Sequence, residues 1–176
     1  ASEYHTGQRK DGQPEFSHQV WQVAYARTLA DLMLFPEETI AVIFLHDVVE
    51  DYGVPLAEIE RLFGNPIAEA VGRMSKEIKG RKKSGETYFS ELGLCPISSV
   101  AKGIDRIHNH QTMRNAFKPE KQTDYLGETE DDILPMLKVA RRRFPEQESV
   151  YENIKHMLIA QMELYAHALS DTSAAA

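Results

Sequence analysis

The sequence predicts an all-α protein, a single-domain helical bundle, on three observations. Apolar residues recur at helical spacing over most of the chain. Alternating β-branched runs joined by Asn-Gly or Asp-Gly turns are missing. The 176 residues, 42% of them apolar, suffice for one sizeable core but not for two ordinary domains. The domain is read as residues 1–169, with a flexible tail over 170–176, "SDTSAAA".

The elements follow in order. The opening "ASEYHTGQRK" is too short for a full first helix, so that helix is expected to be short or truncated. "SHQVWQVAYARTLADLMLF" carries Val20, Val23, Ala24, Ala26, Ala30 and Leu34 near helical spacing, with Ser17 as its cap. "PEETIAVIFLHDVVEDY" opens on Pro36 and two acids and stops before Gly53 and Pro55, which reads as one helix. Two short amphipathic helices follow, broken at Gly64-Asn65-Pro66. Residues 79–96 read as a connection, and "ISSVAKGIDRIHNHQTM" as a helix despite Gly103. Residues 118–143 are a polar stretch and then "DDILPMLKVARRRF"; a long final helix completes about six to eight.

Bulk charge narrows the partners. A net charge of −7 speaks against general nucleic-acid or anionic-membrane binding, which needs a basic surface. No apolar run is long enough to span a bilayer, and no signal-peptide pattern is present. Cys95 is the only cysteine, which rules out an internal disulfide and fits a reducing compartment. The reading is a cytoplasmic protein that takes a small molecule, its oligomeric state open.

Within the greasiest helix, "IAVIFL" runs into "HDVVED". Ionised groups are costly to bury unless paired or bound to a metal. On one continuous helix with His46 at zero, Asp47 lies at about 100°, Glu50 at about 40° and Asp51 at about 140°. His46 and Asp47 offer a nitrogen and an oxygen suited to Mn²⁺, Zn²⁺ or Fe²⁺. Glu50 and Asp51 are placed to orient or deprotonate a water. The alternative is a solvated helix end. In "GIDRIHNHQT", Asp105, His108, Asn109 and Thr112 fall on one face, as a further ligand with donors for a polar substrate or as a plain polar face. "HTGQRKDGQPEFSH" sets Arg9 and Lys10 in a turn ahead of His18, an arrangement suited to a phosphate or a nucleobase. "GRKKSGET" has the glycine spacing of a P-loop with Glu86 where the lysine belongs, and HExxH, CxxC and dinucleotide fingerprints are absent. The clusters Arg81-Lys82-Lys83 and Arg141-Arg142-Arg143 read as solvated faces.

The order His18 … His46-Asp47 … Asp105 resembles the metal set of the HD-domain phosphohydrolase superfamily. "HTGQRKDGQPEFSH", "LHDVVED" and "AKGIDRIHN" resemble the three motifs of the hydrolase domain of RelA/SpoT-type enzymes, and "LFGNPIAEAVGRMSK" the segment after the second. The resemblance covers about residues 3–115. In size and in lacking a synthetase domain the chain is most similar to the stand-alone small alarmone hydrolases. The resemblance implies a bundle of the HD-domain type and one Mn²⁺ held by His18, His46, Asp47 and Asp105, with Zn²⁺ or Fe²⁺ as alternatives. It implies that Glu50 and Asp51 activate water, that Arg9 and Lys10 flank the guanine and ribose, and that Asn109 and Thr112 hold ribose or phosphate. The implied reaction removes the 3′-pyrophosphate of ppGpp or pppGpp, giving GDP or GTP. The chain departs from the pattern at Gln19 (proline in the family), Glu15 (an aromatic), and His110-Gln111 (often Met-Arg). Rival expectations are an HD phosphohydrolase on a dNTP, a nucleoside monophosphate or NADPH, a non-catalytic HD nucleotide-binding module, and a diiron HD oxygenase.

Overall fold

The computed structural model describes the backbone of residues 1–174 and the side chains of residues 1–168. Among the described residues ten α-helical segments run in the order α1 Ser17–Thr28, α2 Pro36–Leu45, α3 Val48–Tyr52, α4 Leu56–Phe63, α5 Asn65–Met74, α6 Gly85–Gly93, α7 Pro96–Ala116, α8 Pro119–Glu128, α9 Leu134–Arg143 and α10 Glu148–Ala174. α2 with α3, and α8 with α9, run nearly end to end, which is why a count of six to eight helices describes the same architecture. The predicted tail from residue 170 is still helical through Ala174, with no glycine or proline to stop α10; Ala175 and Ala176 lie outside the described residues. Among the described residues no helix is long and apolar enough to cross a membrane.

α7 is the central rod. It packs against α1, α2, α5, α6, α9 and α10 and buries side chains on all sides, among them Val100, Ile104, Ile107 and Met113. Gly103 earns its place here: a Cβ would stand 2.7 Å from Ile154 Cγ2 on α10. The helix tolerates the local propensity cost of about 1 kcal/mol because close packing needs it.

Three expectations are corrected. First, the inward face of α1 is part polar: Val23 and Ala26 are buried as expected, but three polar residues share the face with them. His18, Gln19, Gln22, Val23 and Ala26 are buried, whereas Val20 is 50% exposed and Leu34 38% exposed. Ser17 caps nothing; it lies inside the helix, after Phe16. Second, the helix from Pro36 is interrupted at His46-Asp47, where the His46 ring takes the Ile43 carbonyl as a partner. Third, the connection over 79–96 holds real structure. A two-stranded antiparallel hairpin pairs Glu77–Ile78 with Arg81–Lys82, its turn made by Lys79 and Gly80, both at positive φ. α6 follows, capped by the Ser84 side chain, which accepts from the Thr87 backbone N–H.

Candidate metal centre

α1, the α2–α3 break and the middle of α7 meet at one buried spot. One donor atom from each of His18, His46 and Asp47 lies within 4.8 Å of the other two. Asp105 stands against two of them, its Oδ1 3.1 Å from His18 Nε2 and 3.8 Å from His46 Nε2. His46 Nε2 is 3.1 Å from Asp47 Oδ2.

The hydrogen-bond partners decide which atoms face inward. His46 Nδ1 is 2.7 Å from the Ile43 carbonyl, which accepts only, so Nδ1 carries the proton and Nε2 points its lone pair at the cluster. That lone pair faces two carboxylates. Burial lowers the affinity of His46 for a proton, but Asp47 and Asp105 outweigh it and raise its pKa to about 9. Such an atom calls for a cation, either a proton or a metal. His18 Nδ1 lies 2.6 Å from His108 Nδ1. With His18 Nε2 turned inward as a lone-pair donor, Nδ1–H donates to His108, and burial, His18 and Arg9 hold His108 neutral with a pKa of about 4. Asp105 is a one-atom donor. Its Oδ2 is taken by Lys102 Nζ at 2.8 Å, while Oδ1 accepts from Asn109 Nδ2 at 3.0 Å and faces the cluster. Burial would lower the Lys102 pKa, yet the Asp105 carboxylate holds it well above the ordinary lysine range. Two neutral imidazoles and two carboxylates, each oriented by a second hydrogen bond, fit a divalent cation of the Mn²⁺, Fe²⁺ or Zn²⁺ type.

One consequence is measurable. Because a proton occupies His46 Nε2 up to about pH 9 in the metal-free protein, cation uptake at pH 7–8 is expected to release close to one proton. Calorimetry in buffers of different ionisation enthalpy reads that number; cation binding with no proton release contradicts the assignment.

Beside the cluster lies a cavity of about 290 Å³. It is lined by His18, Asp47 and Asp51 together with Arg9, Lys10, Asn109, Thr112 and Phe117. Arg9 Nη2 donates to Thr112 Oγ1 at 3.5 Å, tying the N-terminal turn to α7, and Lys10 Nζ sits 5.2 Å above the Phe117 ring. The turn is closed by Gly12 at φ 83° and by the Arg9–Gln13 backbone bond. Glu50 and Asp51 part company. Asp51 lines the cavity, and partial desolvation with the negative charges of Asp47, Glu50 and Glu15 raises its pKa. Glu50 Oε2 instead accepts from the Lys76 backbone N–H at 2.8 Å, in the link between α5 and the hairpin.

No family model matches the chain. Curated relatives do. A Synechocystis sp. protein named "Probable guanosine-3′,5′-bis(diphosphate) 3′-pyrophosphohydrolase" is 37% identical over 136 residues, 73% of this chain and 17% of its own. "Bifunctional (p)ppGpp synthase/hydrolase SpoT" of Escherichia coli K12 is 30% identical over 145 residues, 77% of this chain and 20% of its own. A Mycobacterium leprae protein named "Probable GTP pyrophosphokinase" is 32% identical over 143 residues, 77% of this chain and 18% of its own. The chain belongs to the RelA/SpoT-type family.

It spans a fifth or less of the length of these relatives, and their names cover both making and breaking of the alarmone. The family likeness reaches past residues 3–115, since the matches run to 145 residues. Two departures from the family's motifs make contacts of their own. Glu15 accepts from Tyr52 Oη at 2.8 Å and from the Gly7 backbone N–H at 3.2 Å, and lies 3.3 Å from His5 Nδ1. Gln19 Nε2 lies 3.4 Å from His5 Nε2 and donates to Asp47 Oδ2 at 3.3 Å. Lys102 and Gln22 escaped the sequence reading although spacing marks them: Lys102 is three residues before Asp105, and Gln22 four after His18. His5 carries no such local mark, because only the folded N-terminal segment brings it near Asp47.

Proposed function

We propose that this chain is a divalent-metal-dependent hydrolase, Mn²⁺ being the cation, that removes the 3′-pyrophosphate of ppGpp or pppGpp in the cytoplasm. The observation that supports it best is the shared cavity: residues that can grip a nucleotide, Arg9, Lys10, Asn109 and Thr112, line the same 290 Å³ space as His18, Asp47 and Asp51. His18, His46, Asp47 and Asp105 would hold the cation, which when bound supplies Lewis acidity and a more acidic water.

The chain's own groups do the rest. Arg9 lies flat against the guanine, since a guanidinium stacks on aromatic faces, and Lys10 places a point charge near ribose or phosphate. Asn109 and Thr112 share the α7 face of Asp105 and fix the ribose relative to the cluster. Asp51, at the cavity wall with its pKa raised above the usual carboxylate value by desolvation and the neighbouring acids, takes a proton from the attacking water at a carboxylate oxygen. The water oxygen bonds to the first 3′ phosphorus, the bond from that phosphorus to the ribose 3′ oxygen breaks, and the proton taken by Asp51 passes to that oxygen to give the 3′-hydroxyl. Glu50 holds the Lys76 link and thereby keeps α3 in place.

A substrate panel tests this: ppGpp, a dNTP, a nucleoside monophosphate and NADPH, each with Mn²⁺. Turnover of ppGpp above the others is expected. Arg9→Ala is expected to raise KM more than it lowers kcat, because the stacking contact exists equally in ground and transition states. A kcat loss with unchanged KM would remove Arg9 from the base-binding role.

A further inference from the structure

α1 carries two buried glutamines after His18; the side-chain oxygen of each lacks a hydrogen-bond partner, and the two differ in what the amide nitrogen meets. Gln19 has both amide hydrogens engaged, one toward Asp47 Oδ2 and one toward His5 Nε2. Gln22 is 0% exposed. Its Nε2 lies 2.5 Å from His18 Nε2 and 3.3 Å from Asp105 Oδ1, and its Oε1 has no hydrogen-bond partner. A buried amide oxygen without a partner is expensive, of order 1–3 kcal/mol, and asks for an explanation.

Lone-pair accounting gives one. His18 Nε2 and Asp105 Oδ1 are atoms that a bound cation would use. The lone pair of His18 Nε2 serves either an N–H or a cation, never both. With a cation in place, the Gln22 nitrogen has only hydrogens to offer and would face a positive charge. The oxygen is the end of the amide that belongs there. Turning the carboxamide over exchanges two atoms of nearly equal size, so the swap demands no other movement. It gives Oε1 a partner and carries the two amide hydrogens to the place where Oε1 now stands.

We propose that the Gln22 carbonyl oxygen is a fifth donor to the cation, and that it biases the site toward Mn²⁺ over Zn²⁺. This rests on the reading of the cluster as a metal site. Zn²⁺ is satisfied by four donors, while carbonyl oxygen suits Mn²⁺.

The test measures Mn²⁺ and Zn²⁺ affinities separately, by competition with a chelator of known affinity, for the unaltered chain, Gln22→Leu and Gln22→Glu. Gln22→Leu is expected to weaken Mn²⁺ by ~10-fold or more and to leave Zn²⁺ nearly unchanged. Gln22→Glu keeps an oxygen in place and is expected to retain Mn²⁺; it also serves if the leucine variant does not fold, as circular dichroism of the metal-free proteins will show. If Gln22→Leu binds Mn²⁺ as tightly as the unaltered chain, or more tightly, Gln22 only competes for the lone pairs and the proposal fails. If the unaltered chain binds neither ion, it is the metal reading itself that fails.

Discussion

Asp51→Asn is expected to lower kcat by ~10²–10⁴ with cation affinity kept, the range for loss of a proton acceptor. Glu50→Gln is expected to cost far less, since the amide oxygen still accepts from the Lys76 N–H. The two acids are sequence neighbours, so the contrast separates a role at the cavity from a role in the scaffold. The pH profile carries the same information. In the proposed role Asp51 must be ionised to take the proton, and its pKa is raised above the usual carboxylate value by desolvation and by Asp47, Glu50 and Glu15. Activity is therefore expected to fall as pH drops, starting above the range of an ordinary aspartate, and Asp51→Asn is expected to lose that limb. Equal losses for both variants would mean that Glu50 shares the proton transfer.

Asp105→Ala is expected to abolish tight cation binding and to destabilise the fold by ~3–5 kcal/mol, the cost of stripping one partner from a buried ion pair. Lys102 would be left with a charge that Asp105 Oδ2 now meets at 2.8 Å, and Asn109 would lose its acceptor. Asp105→Asn keeps the shape and part of the hydrogen bonding, so it is expected to lose the cation at a smaller cost in stability. Denaturant titration together with cation binding reads both quantities. Full stability in Asp105→Ala would show that Lys102 finds another partner and that the pair is not structural.

The fold and the candidate site were legible in the sequence to different depths. α2, α4, α5 and α7 announce themselves through apolar spacing with proline or glycine at an end, and α10 through its length and apolar spacing alone. α1 misleads in part for a physical reason: its inward face carries His18, Gln19 and Gln22 beside Val23 and Ala26, and Val20 points at solvent. A helix that serves a polar site inverts the rule that reads a core face from hydrophobic spacing. The residues 118–128 read only as a polar stretch because α8 buries so little, with Gln122 its buried residue. The divergence of Glu50 from Asp51 was not legible either. It depends on the break at His46-Asp47 and on a backbone N–H at Lys76, 26 residues away in the chain.

The central claim is that the cluster and the adjoining cavity remove a 3′-pyrophosphate. Purified chain loaded with Mn²⁺ is incubated with ppGpp, and the products are separated and quantified. Equal amounts of GDP and pyrophosphate are expected, with none formed by Asp47→Ala. Intact ppGpp and no pyrophosphate, under conditions where a dNTP or NADPH is turned over, would contradict the account.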